Sequence, residues 1–359
     1  MPRAPIALAA LVALLALAGT AMGHAYLIDS SPPADGTVPA SPEAVTLTFN
    51  EPVEILRAED VDVVDEEGAS VGAGPATNAD DAAQVRIPLR PGLPDGTYTV
   101  RWTVISPDSH VIPGVMVFGV GIGEDELAEP YFAGSGTAGP SETGPWGVSS
   151  RFLEMVGLGG LVGLMAFRWL VWAPAVRRAG RLSDDERTAA LTWGRDLYWV
   201  AFGVLAVGSM LAEGYLLVVQ SASVLGTGVW DALGDATGIS QVLGDTRFGS
   251  LVQLRGALLF AVFAVGAVQF MREYGSAGAP RAPQAAAGPV PSLLMGALLL
   301  AVLGGIAAQG HASVAPLAGL QVGAQLVHVV AVAIWVAGLA LVAAAYLRLP
   351  AVAPEGGPA

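Results

Sequence analysis

Two hydrophobic patterns divide the chain. Between His24 and about Ile122, apolar and polar positions alternate in short runs, as in Val45-Thr46-Leu47-Thr48-Phe49, Val85-Arg86-Ile87 and Tyr98-Thr99-Val100-Arg101-Trp102-Thr103-Val104. Successive residues of a strand point to opposite faces, so these runs predict half-buried β-strands. Turn-forming stretches separate them: Pro32-Pro33-Ala34-Asp35-Gly36, Glu66-Glu67-Gly68 and Pro91-Gly92-Leu93-Pro94-Asp95-Gly96. Short strands so punctuated predict an all-β sandwich or Greek-key barrel. From Ala133 to Gly147 the composition turns to Gly, Ser, Thr and Pro, the signature of a tether. Beyond it the apolar runs become continuous. They predict five membrane-crossing helices, at Phe152 to Ala173, Leu197 to Val219, Leu251 to Met271, Ser292 to Ala308 and Val322 to Tyr346.

The first 23 residues carry Arg3, an apolar run from Ile6 to Ala18 and then small residues, the pattern of a secretory signal. Cleavage after Ala21-Met22-Gly23 leaves His24 as the first residue of the mature chain. The expected organisation is a signal peptide over 1–23, a β-domain over 24–122 and a tether over 123–150. A transmembrane domain of about five helices over 151–347 and a tail over 348–359 follow. Arginines set the orientation. Arg177, Arg178, Arg181, Arg187 and Arg195 follow the first span, Arg272 and Arg281 the third, and Arg348 the fifth. The loops after the second and fourth spans hold only Arg247. Loops rich in Lys and Arg stay cytoplasmic, so the tail is cytoplasmic and the β-domain is extracellular or periplasmic. The signal peptide independently requires the same sidedness.

Composition agrees with a multi-pass protein of the plasma membrane: hydrophobic residues make up 53%, charged residues 13%, and the mean hydropathy is +0.58. From His24 to Ser150 there are 20 acidic residues against four arginines; from Arg151 onward there are 11 against 12. An acidic outer portion makes nucleic acid a poor partner. The absence of cysteine excludes disulfides and thiolate metal sites, leaving His, carboxylate, Met and backbone as ligands. There are four histidines: His24, His110, His311 and His328. All four fall on the outer side of the predicted topology. His110 follows Asp108 by two residues in SPDSHVIPG; His311 and His328 flank the outer loop between the fourth and fifth spans. His328, Trp335 and Gly338 share one helix face. Of the ionisable residues in the spans, Glu154 and Arg255 read as end-of-helix groups reaching toward water, and Glu213 as the functional candidate. Met155 and Met210 read as packing residues. No ATP-binding motif is present, so any transport is passive or ion-coupled.

At these residues the sequence meets a family. The outer domain resembles CopC, a periplasmic copper-binding family, through His24-Ala25-Tyr26, SSPPADG, LTFNEPVE, YTVRWTVISPDSH and the FGVG end. The membrane part resembles CopD, its inner-membrane companion, through DTRFGSLVQLRGALL (Asp245 to Leu259), QGHASVAP (Gln309 to Pro316) and HVVAVAIWVAGL (His328 to Leu339). The resemblance implies an Ig-like or cupredoxin-like sandwich followed by a helical transmembrane bundle. It implies that His24, through its amino group and ring, binds Cu(II) with Asp108 and His110. Glu51 matches a family glutamate near the metal. Three nitrogens and one oxygen in a tetragonal plane suit Cu(II) better than Zn(II). The Met-rich stretch by which some relatives hold Cu(I) is missing, and Met116 is the only methionine of the outer domain. His311 and His328 stand as a membrane copper site.

The expected function is capture of Cu(II) outside and its passage to the membrane domain for transport, inward by analogy, in copper homeostasis or resistance, without catalysis. Two other readings use the same residues. His311 and His328 suit axial haem ligation between two helices. An amino-terminal histidine also holds the metal of copper monooxygenases, but Asp108 would occupy the position an oxidase leaves open for oxygen. The CopD family usually continues through further helices, whereas five are expected here.

Overall fold

The alternating runs form strands in a computed structural model, which describes residues 25–79, 81–131, 144–180, 182–274, 289–310, 313 and 317–348. The chain divides into a β-unit and a helical unit. The β-unit has β1 (Leu27–Ser31), β2 (Gly36–Val38), β3 (Ala44–Phe49), β4 (Val61–Val64), β5 (Thr77–Asn78), β6 (Gln84–Pro88), β7 (Gly96–Ile105) and β8 (Val111–Val120). They make two four-stranded sheets, ordered β1-β3-β6-β5 and β2-β8-β7-β4. Neighbours are antiparallel except β2, which runs parallel to β8.

Alternation places every second side chain of β3 in the core. Val45, Leu47 and Phe49 from one sheet meet Val100, Trp102, Val104 and Phe118 from the other in a single buried cluster. This is the expected sandwich. Phe49 packs edge-on to Trp102 across the sheets, with centroids 6.3 Å apart. Opposite Trp102 on β8 is Gly114, where a Cβ would lie 2.1 Å from the indole. Glycine is required there because the indole occupies the space of a side chain.

The helical unit has α1 (Pro145–Ala166), which continues through a π-helical stretch, Phe167–Trp172, into α2 (Ala173–Arg178). Then come α3 (Asp184–Leu225), α4 (Val229–Gly234), α5 (Ala236–Asp245), α6 (Arg247–Tyr274), α7 (Pro289–Gln309) and α8 (Ala318–Arg348). Ser183 caps α3, accepting from the Glu186 amide while Glu186 reaches back to the Ser183 amide. Gly226 ends α3 with φ +64°, a conformation that favours glycine. Among the described residues, five segments are long and apolar enough to cross a membrane: 145–178, 184–225, 247–274, 290–309 and 318–344. Two differences from expectation stand out. The first helix reaches back to Pro145, into the segment read as tether, because proline suits a first helical turn, where its missing N–H costs nothing. The loop between the second and third spans holds α4 and α5, too short to show as apolar runs. The segments 1–24 and 349–359 lie outside the described residues.

Candidate metal centre

The candidate site in the β-unit is organised by a five-residue connection, Ser106 to His110, between β7 and β8. Ser106 and His110 close it: the Ser106 amide donates to the His110 carbonyl at 2.9 Å, continuing the ladder beyond the pair Ile105 and Val111. Inside, the Ser109 amide donates to the Ser106 carbonyl at 2.8 Å, forming a turn with Pro107 at its second position, where a fixed φ fits. Ser109 takes the left-handed conformation, φ +72°. Asp108 and His110 therefore sit on a tight turn, not on a strand, and still converge. The carboxylate of Asp108 is wholly buried, and its Oδ1 accepts from the Ser106 hydroxyl, from the His110 amide at 3.3 Å, and lies 3.0 Å from His110 Nδ1. The His110 ring is one-quarter exposed. A carboxylate on one ring nitrogen fixes the orientation of an imidazole, as metal-binding histidines require.

A second segment brings Glu51 to this turn. Glu54 bridges to Ile105, with amide and carbonyl exchanged at 2.8 and 2.9 Å. At the other end of the segment, Asn50 clasps Tyr26: the Tyr26 amide donates to Asn50 Oδ1 at 2.7 Å and the Asn50 amide to the Tyr26 carbonyl at 3.1 Å. The start of β1, Glu51 and the SPDSH turn thus share one end of the sandwich. Electrostatics register the proximity. Burial, then the charge of Asp108, pushes the Glu51 carboxyl above its ordinary value, and His110 pulls it back in part. Burial also opposes the charge on Asp108, but the bonds from His110 and Ser106 together outweigh it and hold that carboxyl well below the usual range. Among the described residues no three His, Cys, Asp or Glu side chains are close enough to hold a metal by themselves. His24 lies outside the described residues. Met116 is buried in the sandwich core.

A family model described as the CopC domain matches residues 27–121. Copper resistance protein C of Escherichia coli is 36% identical over 114 residues, 30% of this chain and 89% of that protein. Protein YobA of Escherichia coli is 37% identical over 98 residues, 27% of this chain and 78% of that protein. The chain belongs to the CopC family. Its helical part fits a CopC–CopD fusion: copper transport protein CutJ of Bacillus subtilis is 26% identical over 336 residues, 92% of this chain. The chain spans 55% of the length of that relative.

The helical unit, which follows in the chain, places its polar residues differently from expectation. Glu154 is not at a helix end, since α1 starts at Pro145, and Arg255 is completely buried. Neither reaches toward water. Arg255 Nη2 lies 2.9 Å from Glu213 Oε2 and 3.3 Å from Glu154 Oε1, and its Nη1 donates to Gln309 Oε1. Two of the CopD-like motifs meet here, one supplying Arg255 and the other Gln309. Hydropathy flags such segments but cannot say which helices meet, so Gln309 was missed and Glu154 and Arg255 misread. His328 lies on the exposed face of α8, as does Trp335, and His311 lies outside the described residues. Met155 and Met210 are exposed on their helices.

Proposed function

We propose that the CopC domain of this membrane protein captures one Cu(II) at His24, Asp108 and His110 and passes copper to the helical unit for inward transport. The observation that carries the reading is the convergence at one end of the sandwich. Tyr26, two residues after His24 and just before β1, is clasped to Asn50, and the same segment leads through Glu51 to the buried Asp108 and its histidine. After cleavage, His24 would bring an amine and an imidazole to this end. The amine has an ordinary pKa of about 7.7 to 8.0, so freeing its lone pair near neutral pH costs little. Asp108 stays ionised throughout the physiological range, as a ligand or as the group that aims His110 must. Glu51, close to Asp108 and His110, would add negative charge beside the ion. With no thiolate available and Met116 sealed in the core, the donors are nitrogen and oxygen, which select Cu(II) over Cu(I). In the membrane, His311 and His328 receive copper near the outer surface. The role is binding and transport, not catalysis.

The test is the amino terminus. A secreted domain beginning at His24 binds one Cu(II) with a tetragonal, nitrogen-dominated EPR spectrum. One extra residue ahead of His24 displaces the amine and weakens binding more than His110→Ala does. Equal affinity in the extended domain would remove the amino-terminal ligand, and the reading with it.

A further inference from the structure

Arg255, Glu154 and Glu213 form a buried charge cluster that metal capture does not use. The three come from α6, α1 and α3 and are all but inaccessible to solvent, within segments long and apolar enough to cross a membrane. Charge in such a place is expensive, is kept only when paired, and commonly marks an ion or proton path. The pairing is incomplete. A guanidinium is always protonated, so one positive charge faces two carboxyl groups. Both carboxyls approach the same nitrogen, Arg255 Nη2. Its other terminal nitrogen is spent on the neutral Gln309. Arg255 Nε and Glu213 Oε1 are buried without a hydrogen-bond partner, and Glu154 Oε1 meets Arg255 Nη2 as an ion pair without forming a hydrogen bond. Among the described residues, the other charge acting on Glu154 is Arg151, on α1 itself, which is partly solvated. Ionised together, the two carboxylates leave one unit of negative charge in the apolar layer and an acceptor with no donor. One proton cures both faults: it cancels the excess charge and supplies an O–H between the carboxyls. Two acids held against one another share a proton for this reason.

We propose that Glu154 and Glu213 form a proton-binding site with Arg255 as its fixed counter-ion, and that its one exchangeable proton is coupled to copper passage. The coupling rests on the transport reading above; the proton site does not. When a cation reaches the cluster, the carboxylic O–H bond breaks heterolytically and the proton leaves to water. The positive charge of the cation replaces that of the proton. No electron is transferred, so no oxidant or reductant is required.

The first measurement needs no variant. Infrared difference spectra of the full chain in nanodiscs, taken between acid and alkaline pH, show a buried protonated-carboxyl C=O band that shifts on deuteration and on 13C-glutamate labelling. Absence of that band overturns the proton site. Glu154→Gln and Glu213→Gln each remove it, whereas Glu213→Asp retains it; a band surviving both Gln variants also overturns the assignment. The second measurement uses proteoliposomes with a pH dye inside. Copper added outside, as Cu(II) and in parallel reduced by ascorbate, drives a pH change that either Gln variant abolishes. Copper movement without a pH change overturns the coupling. The double variant His311→Ala/His328→Ala separates the two ideas: it stops copper movement if the transport reading holds and leaves the infrared band in place.

Discussion

Glu51 costs the metal-free domain stability. One of its oxygens is buried without a hydrogen bond, and burial, then the charge of Asp108, raises its carboxyl above the ordinary value despite His110. The folded state therefore holds its proton more tightly than the unfolded one. Stability is lost as pH rises from the ordinary carboxyl value through the raised one. Glutamine keeps the shape and lacks the charge. The metal-free Glu51→Gln domain is expected to melt above its parent at pH 7, with the gap closing as pH falls toward about 4. Thermal melts across that range decide it, and an unchanged or inverted gap at pH 7 would show that the charge is not strained. Bound Cu(II) reverses the balance, since a nearby dication favours the ionised carboxylate. The parent then gains more Tm from copper than the variant does. At this scale the sequence spoke through spacing: Asp-x-His was visible because both residues sit in one short turn. That Glu51 presses on Asp108 was not, because the Glu54–Ile105 bridge that brings them together joins residues far apart in the chain.

Strands with a strict two-residue period were legible as elements, because alternation is itself the record of a half-buried sheet. β3, β6 and β7 fall where the alternating runs lie. β2 and β5 hold too few residues to show a period, and their places come from pairing with β8 and β6. The close approach of Trp102 to Gly114 was equally hidden, since glycine in a strand reads only as a weak point. Its consequence is measurable. In Gly114→Ala the new methyl must displace the indole that packs on Phe49. Overpacking of this kind costs about 1–3 kcal/mol. For a domain of about 100 residues, each kcal/mol lowers Tm by roughly 4–8 °C. The isolated domain is a fair sample for this, because copper resistance protein C is matched over 89% of its own length. Copper stoichiometry is expected to stay at one per domain, as the bonds from Ser106, Ser109 and His110 that shape the Ser106–His110 turn are made within the turn itself. A melt unchanged by the substitution would mean that the indole is not held against β8.

For the whole molecule, hydropathy counted the spans and the arginine bias predicts their orientation, but neither said how the helices pack. Packing by α1, α3, α6 and α7 encloses the Arg255 cluster, while α8 buries Ala333 in the core, packs Leu326, Val329, Val330 and Leu341 against it and turns His328 outward. His328 and the cluster are therefore separate candidates for the copper path, and cells distinguish them. If His311 and His328 form the entry, His311→Ala and His328→Ala each abolish copper-dependent accumulation while Cu(II) binding by the outer domain is unchanged. The double substitution costs little more than either single one, because a two-ligand site fails when one ligand is lost. Glu213→Gln then acts after entry: it leaves outer capture intact and lowers accumulation through the proton, so its defect depends on external pH while that of the histidine variants does not. Normal cellular copper in both histidine variants, with normal expression, would reduce the helical unit to an anchor for a copper-binding domain. Raised copper would reverse the direction and make the protein an exporter.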